Sequence, residues 1–175
     1  NACQLITAKT FAFPEHLLET LHHVISEQHC SFEQLGSLNI ELGQLIAQYI
    51  NTLLQETTLS AGTISAIGCH GHTLFHSPDS QYPFSMQIGD AHTIAELTTI
   101  RTIADFRQRD IASSGQGAPL VPAFHAYAFS SQTESRAVIN IGGISNISYL
   151  PSNNNEAIIG FDSGPGNTLL DAWIK

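Results

Sequence analysis

The sequence predicts an α/β fold in which mixed sheets are flanked by helices. Its first third places apolar residues at helical spacing, whereas later apolar stretches are short and separated by turns rich in glycine, proline and asparagine. Hydrophobic residues make up 42% of the 175 residues, which suffices for a core and argues against global disorder. A chain of this length forms one domain, or two if both are small or incomplete.

Two helices are predicted first. Pro14 suits the first turn of a helix, where its missing N–H needs no partner, and apolar residues then follow helical spacing to about His29. Ser31 and Gln34 have the spacing of a capping box. The amphipathic helix that this box begins runs to about Leu54.

The middle of the chain changes to strand-like spacing. Residues 64–69 predict a short buried strand, and residues 73–76 and 84–88 flank a turn and so predict a hairpin. Asp90 is placed to cap a helix that ends near Leu97.

A strand over residues 100–106 is predicted next. A loop rich in glycine and serine follows over residues 107–118, and then a helix that begins at Pro119 or Pro122 and ends near Phe129.

The polar segment 130–135 is the predicted domain boundary, which divides the chain into residues 1–130 and 131–175. The second part predicts three strands and the start of a helix, over residues 137–141, 145–150 and 157–161 and from about Asn167. Its first two strands form a hairpin through Gly142-Gly143.

Composition excludes several classes of protein. Six basic and fifteen acidic side chains give a net charge of −9, which argues against a nucleic-acid or anionic-membrane surface. No apolar run approaches the roughly 18 residues of a membrane span. Cys3, Cys30 and Cys69 form no C-x-x-C pair, so we expect three small buried thiols in a reducing, cytoplasmic environment.

Four polar, glycine-rich clusters follow predicted strands. Ligands collect at the carboxyl ends of strands in open α/β sheets, so these clusters are the candidate sites. They comprise residues 70–73, 105–119, 140–146 and 160–167.

The first cluster allows two interpretations. An extended backbone places His70 and His72 on one face of a strand, where they would form a metal site with His76, Asp79 or His92. The alternative is a polar loop of hydrogen-bonded imidazoles.

The second cluster contains two of the six basic residues, Arg107 and Arg109. Such a pair can hold a carboxylate or phosphate in a fork of donors, or it can form ordinary ion pairs with Asp105 and Asp110. Gly115-Gln116-Gly117 permits close approach of backbone to a ligand, and it also suits a simple turn.

The third and fourth clusters suggest phosphate and acid–base chemistry. Gly142-Gly143 at a hairpin tip either exposes N–H groups to an anion or is a common turn. Asp162, before a glycine turn, is placed to act as a general base or only to order that turn. Ser163 is a poor nucleophile candidate, because the order of the trypsin-like motif is broken and no His/Asp partner can be placed.

Taken together, these clusters are similar to the middle of bacterial anhydro-N-acetylmuramic acid kinases. The resemblance is strongest from about residue 64 onward. The shared strings keep their order along the chain, at residues 67–71 with Thr73, 87–90, 104–107, 109–110, 115–125, 140–143, 160–167 and 171–174. The resemblance implies an incomplete actin-like (ribonuclease H-like) ATPase fold, with the sugar-binding side in residues 1–130 and the phosphate hairpin and catalytic loop in residues 131–175.

The resemblance also implies an activity, in which ATP and Mg²⁺ convert 1,6-anhydro-N-acetylmuramic acid to N-acetylmuramic acid 6-phosphate in peptidoglycan recycling. Asp162 matches the catalytic base, and Asn140, Gly142 and Gly143 match the phosphate-binding hairpin. A homodimer is a candidate assembly, because members of the family are often dimers.

Substrate-binding residues also follow from the resemblance, and an arginine among them would pair with the lactyl carboxylate. They are His70, Arg107, Arg109, Gln116 and Asp162.

The chain departs from the family pattern at His72, where glutamine is usual, and at Gln108 and Ser114. The first phosphate loop and much of the adenosine site are also missing, so we expect these 175 residues to be inactive alone. Two other hypotheses stay open, a metal-dependent hydrolase using His70 and His72 and a non-catalytic actin-like binding module.

Overall fold

The computed structural model describes residues 4–153 and 155–174, which form the mixed α/β fold that the sequence predicts. The chain divides into two compact units, one of residues 6–114 and one of residues 115–174 together with residues 4–5. The predicted domain division at residue 130 stays a prediction. No helix in the described part of the chain is long and apolar enough to cross a membrane.

The first unit begins with the two predicted helices, α1 (Glu15–Glu27) and α2 (Phe32–Gln55). Pro14 is the N-cap residue of α1. The predicted capping box of α2 is confirmed, because the Gln34 N–H donates to Ser31 Oγ at 3.1 Å and the Ser31 N–H donates to Gln34 Oε1 at 2.9 Å.

The core of this unit lies between the two helices and a strand behind them. Residues three and four apart share one face of a helix, so the buried side chains follow that spacing. The core residues are Leu17, Leu21, Val24, Leu38, Leu42 and Ile88.

Four strands of the first unit make two small sheets: β1 (Ile67–Gly68), β2 (His72–Ser77), β3 (Phe84–Ile88) and β4 (Thr102–Ile103). β2 and β3 form the predicted antiparallel hairpin, whereas β1 and β4 pair in parallel. β1 and β4 have only two residues each, so the strands predicted over 64–69 and 100–106 are shorter than expected.

Two short helices complete the first unit. α3 (Ala91–Thr98) is capped by Asp90, whose Oδ2 accepts from the Thr93 N–H at 2.6 Å. Hydrogen bonds from the side chain and then the backbone N–H of Thr93 hold the pKa of Asp90 below its ordinary value. α4 (Phe106–Ile111) occupies part of the segment predicted as a loop. The prediction was wrong there because the glycines and serines begin only at residue 113, whereas Ile111 is buried and anchors the helix.

The second unit contains one sheet and two helices: α5 (Val121–Phe129), β5 (Arg136–Ile141), β6 (Ile144–Leu150), β7 (Ile159–Pro165) and α6 (Thr168–Ile174). The strands are antiparallel in the order β5-β6-β7. The predicted hairpin through Gly142-Gly143 is confirmed. β7 continues beyond the predicted end at residue 161 and therefore includes Asp162.

One face of this sheet is covered by α5. His125 is buried, and its Nδ1 lies 2.8 Å from Ser148 Oγ of β6. Pro122 packs against Gly160 of β7 so closely that a Cβ at residue 160 would lie 2.1 Å from Pro122 Cγ. The α5 face is therefore tightly packed at this end of the strands, and it includes the buried polar contact between His125 and Ser148.

Two of the three cysteines lie in the described residues, and both are free thiols. Cys69 is buried, as expected, and burial raises the pKa of its thiol. Cys30 is half-buried beside the helical core. Cys3, for which the sequence predicts a buried position, lies outside the described residues.

Candidate active site

A row of three polar side chains crosses the sheet of the second unit. Asn140 of β5 pairs with Asn146 of β6, and Asn146 pairs with Asp162 of β7. Directly opposite residues share a face of the sheet, with about 5 Å between their Cβ atoms. The row is on the face that α5 covers, because Asn146 is two residues from Ser148 on β6 and Ser148 contacts His125 of α5.

A β-bulge adjoins the row. Asp162 pairs with Asn146, but the next pair joins Ser145 to Gly164, so Ser163 is an extra residue in β7. The Ser163 hydroxyl donates to the Ser145 carbonyl at 3.1 Å and fixes the bulge. Gly164 has a φ of +138°, a conformation that side chains rarely adopt. Bulges bend a strand and redirect side chains, here next to Asp162.

Asp162 has an exposed side chain inside β7. The sequence predicted this carboxylate at a strand end before a glycine turn. The difference arises because the bulge and Gly164 keep residues 162–165 paired with β6 despite their turn-like composition. An exposed carboxylate on a rigid strand is able to accept a proton from a bound reactant.

The tip of the β5–β6 hairpin is tied to the start of α6. The Gly142 carbonyl accepts from the Asn167 N–H at 2.7 Å, and the Gly143 carbonyl accepts from the Gly166 N–H at 2.8 Å and from Thr168 Oγ1 at 2.6 Å. A Cβ at Gly166 would lie 2.1 Å from the Gly142 oxygen. Glycine is therefore required for this junction.

The two glycine N–H groups of the same tip differ in their hydrogen bonding. The Gly142 N–H donates to the Ile144 carbonyl at 3.3 Å. No backbone hydrogen bond from the Gly143 N–H is found among the described turn and loop residues. Asn140 Nδ2 lies 3.9 Å from the position of a Cβ on Gly142, so its amide borders the tip. The Asn140 amide and the Gly143 N–H are thus hydrogen-bond donors at this tip.

Gln116 precedes the residues of this sheet and has an exposed side chain. Gly117 follows it with a φ of +72°, a backbone conformation that favours glycine. Within the described part of the second unit, no hydrogen bond joins Gln116 to Asn140 or Asp162.

In the first unit, His70 and Arg107 are in direct contact. Arg107 Nε donates to His70 Nε2 at 2.7 Å, while His70 Nδ1 lies 3.0 Å from the Gly71 carbonyl. A carbonyl only accepts, so both contacts are satisfied when Nδ1 donates to Gly71 and Nε2 accepts from Arg107. The imidazole therefore fixes the orientation of the Arg107 guanidinium.

Arg109 does not share this arrangement. Its Nη1 donates to Ser113 Oγ at 2.6 Å, and its side chain is exposed. Arg107 and Arg109 are two residues apart on α4, and such residues do not face each other on a helix. The structure thus separates the two arginines that the sequence suggested as one fork.

The histidines of the metal hypothesis differ in their contacts, although His70 and His72 line the same cavity. His72 lies beside the Phe13 ring, with 6.3 Å between ring centroids, and burial lowers its pKa, with smaller contributions from His22 and His70. His76 Nδ1 lies 2.9 Å from Ser85 Oγ. The described residues contain no group of three His, Cys, Asp or Glu side chains arranged to hold a metal ion. This geometry does not support the metal-hydrolase alternative.

The mixed α/β architecture, with a glycine hairpin beside an exposed strand carboxylate, is that of part of an actin-like sugar kinase. Comparison with known proteins defines the group further. A sequence model of the anhydro-N-acetylmuramic acid kinase family matches residues 1–175, and the chain belongs to this family. The resemblance stated from the sequence is therefore confirmed.

Curated relatives agree with this assignment. The anhydro-N-acetylmuramic acid kinase of Saccharophagus degradans is 51% identical over 174 residues, which are 98% of this chain and 46% of the relative. Those of Haemophilus influenzae and Shewanella baltica are 51% and 49% identical, again over 98% of this chain and over 44% and 46% of the relatives. The chain thus spans a little under half the length of the curated relatives that it matches.

Proposed function

We propose that the full-length protein containing this chain is an ATP-dependent kinase that converts 1,6-anhydro-N-acetylmuramic acid to N-acetylmuramic acid 6-phosphate in peptidoglycan recycling. The observation that carries the proposal is the position of Asp162. Its exposed carboxylate lies in the same row as Asn140 of β5, the strand that leads into the glycine hairpin. Membership of the family supports the same reaction.

The chemistry requires a base and a phosphoryl donor. Water adds to the anomeric carbon while the bond from that carbon to the bridging oxygen breaks. The bridging oxygen, which becomes the 6-oxygen, forms a bond to the γ-phosphorus of ATP as ADP leaves. We assign Asp162 as the group that accepts the proton lost by the water, because its carboxylate is exposed and fixed by a rigid strand.

Asn140, Gly142 and Gly143 are assigned to phosphate binding. The hairpin tip is held by its carbonyl contacts with residues 166–168, so its donors are preorganised for an anion. Preorganised donors stabilise charge without reorganisation during the reaction, and phosphoryl transfer depends mainly on such positioning.

His70, Arg107, Arg109 and Gln116 are assigned to the sugar. The guanidinium of Arg107 is oriented by His70 and is suited to the lactyl carboxylate of muramic acid. Arg109 and Gln116 both have exposed side chains and are assigned to other polar groups of the sugar.

Mg²⁺ is assigned as the companion of ATP. Mg²⁺ is usually held by one or two carboxylates together with substrate phosphates, so a cluster of three protein ligands is not required. When bound, the ion would neutralise phosphate charge.

The remaining assignments follow from the family. We place residues 1–130 in the first actin-like domain and residues 131–175 at the start of the second, and the reaction in the cytoplasm, where ATP is supplied. A homodimer is also proposed, and light scattering of the full-length protein tests it by its mass.

Identification of the product tests the proposed function. The full-length protein is incubated with Mg²⁺, ATP and 1,6-anhydro-N-acetylmuramic acid, and the sugar is followed by mass spectrometry. We expect the sugar to gain one phosphoryl group and the elements of one water, and to stay unchanged when ATP is omitted. An unchanged sugar in the presence of folded protein and ATP would overturn the proposal.

A further inference from the structure

We propose that Asn146 is a positioning residue that holds the Asp162 carboxylate in its reactive orientation by donating a hydrogen bond from its side-chain amide. The inference rests on the proposed function, since it concerns the base of that reaction. It begins from the place of Asn146 in the polar row, between Asn140 on one side and Asp162 on the other.

The first observation is the distance that this register imposes. Directly opposite residues of antiparallel strands have Cβ atoms about 5 Å apart, which brings an amide and a carboxylate within hydrogen-bonding reach. The bulge at Ser163 lies immediately beside this pair and is fixed by the Ser163–Ser145 hydrogen bond. The bulge therefore bends β7 next to the point where Asp162 pairs with Asn146.

The second observation is an unsatisfied atom. Asn146 Oδ1 is buried and is the one such side-chain oxygen or nitrogen without a hydrogen-bond partner among the described residues. A buried amide in this condition destabilises a fold, and an apolar residue of the same size avoids that cost. Folding therefore gives no reason for asparagine at residue 146, whereas a role beside the base does.

The third observation concerns the other groups on this face. α5 contributes the titratable His125, which is bonded to Ser148, and β5 contributes Arg136, which pairs with Glu134. Ser148 and Leu150 continue the same face of β6 beyond Asn146. Among the side chains of the row, Asn146 is the neighbour of Asp162 on the adjacent strand, and its amide is the donor that the register offers to the carboxylate.

The variant that separates a positioning role from a structural role is Asn146→Leu in the full-length protein. It keeps the size of the side chain and removes the unsatisfied oxygen, so we expect an unchanged or higher Tm. Loss of the donor disfavours the ionised carboxylate. We therefore expect kcat/KM to fall by roughly 10-fold or more, which is less than the 10²–10⁴-fold expected for loss of the base itself. We also expect the acidic limb of the pH profile of kcat/KM to move to higher pH.

Asn146→Asp is the second variant. It preserves shape and replaces the donor by a second carboxylate, and like charges oppose ionisation of both groups. The acid limb is expected to move further in the same direction than in Asn146→Leu. An unshifted profile in both variants would overturn the inference.

Ser148→Ala is the matched control, because it changes a buried polar residue on the same strand and face and removes the hydrogen bond to His125. It should lower Tm and leave the pH profile in place. A shift in this control equal to that of Asn146→Leu would assign the effect to His125 and overturn the inference.

The proposed function is judged separately in the same experiment. Wild-type turnover with loss of activity in Asp162→Asn supports that function, and an unshifted profile at residue 146 then refutes the positioning role alone. Absence of wild-type turnover, or a full rate in Asp162→Asn, refutes the function and the positioning role together.

Discussion

Asp162 illustrates how a single side chain depends on its strand. Its carboxylate is exposed, but the backbone that carries it is paired with β6 and shaped by the bulge at Ser163. Substitution by asparagine preserves shape and hydrogen bonding while removing the ability to accept a proton. The residue therefore allows chemistry to be separated from folding.

We expect Asp162→Asn in the full-length protein to lower kcat by about 10²–10⁴-fold, with little change in the binding of the sugar, because only the proton acceptor is lost. Steady-state kinetics and isothermal titration measure the two quantities. The matched control is Asp171→Asn, which changes an exposed carboxylate of α6 in the same unit. A variant at residue 162 with a normal rate would remove Asp162 from the role of base.

We expect His70 to contribute to binding of the sugar. Its imidazole accepts the Arg107 Nε–H, so its loss leaves the guanidinium without this orienting contact. A hydrogen bond to a charged group contributes about 1.5–3 kcal/mol, and we expect His70→Phe to raise KM for the sugar by about 10-fold or more with a small effect on kcat.

The control for His70 is His16→Phe, at an exposed imidazole that pairs with Glu41. It is expected to leave KM unchanged. A fall in kcat at constant KM in the His70 variant would contradict a role in substrate binding.

Helix α2 shows that identical substitutions in one element can have opposite effects. A Cβ at Gly36 meets no atom within 4 Å, whereas a Cβ at Gly43 would lie 2.9 Å from the Asp90 carbonyl oxygen. Both positions gain helix propensity when glycine becomes alanine, by about 0.5–1 kcal/mol. Only Gly43 is confined by a neighbouring backbone.

We expect Gly36→Ala to raise the free energy of unfolding by about 0.5–1 kcal/mol and Gly43→Ala to lower it, because the Asp90 backbone must move to admit the methyl group. Urea unfolding of the full-length protein measures both. Equal stabilisation by the two substitutions would contradict the close packing of α2 against residue 90.

The N-terminus of α3 carries a prediction about pH. Asp90 caps the helix by accepting the Thr93 N–H. Hydrogen bonds from the Thr93 side chain and then from its N–H lower the pKa of Asp90 in the folded protein below the ordinary value of 3.8. A carboxylate with a depressed pKa in the folded state stabilises the protein above its unfolded pKa, and this contribution is lost as pH falls through the lower, folded pKa.

Asp90→Asn is therefore expected to keep the cap but lose its pH dependence, whereas Asp90→Ala loses about 1 kcal/mol at neutral pH. Unfolding at pH 7 and at pH 3 measures the difference. The prediction fails if wild type and Asp90→Asn lose stability in parallel over that interval.

At the scale of the whole molecule, the sheet of the second unit has an exposed apolar face. The sheet face opposite α5 exposes apolar side chains, including Ile139 at 62%, Ile141 at 65% and Phe161 at 48% of their full accessibility. Soluble proteins seldom leave contiguous apolar surface of this kind uncovered. The curated relatives have more than twice the length that this chain covers.

We expect residues 1–175 alone to show no kinase turnover under conditions in which the full-length protein is active, and to bind a hydrophobic dye more strongly than the full-length protein does. Product formation and dye fluorescence measure the two properties. Turnover by residues 1–175 alone would contradict this expectation.

Local features of the sequence were sufficient for much of the fold. The spacing of apolar residues predicted α1 and α2, the pair Ser31 and Gln34 predicted a cap, and the glycines at 142–143 predicted a hairpin. Each of these depends on residues close together in the chain. The loop predicted over 107–118 was wrong at α4, because burial of Ile111 depends on distant residues that composition does not reveal.

The sequence by itself determined the family, the main helices and hairpins, and the residue types of the candidate site. Only the tertiary structure decided that Asn140, Asn146 and Asp162 form one row, that Asp162 lies within a bulged strand, and that His70 contacts Arg107 while Arg109 does not. Periodicity and capping are local, whereas strand register, bulges and contacts between residues 37 positions apart depend on how separate segments pack.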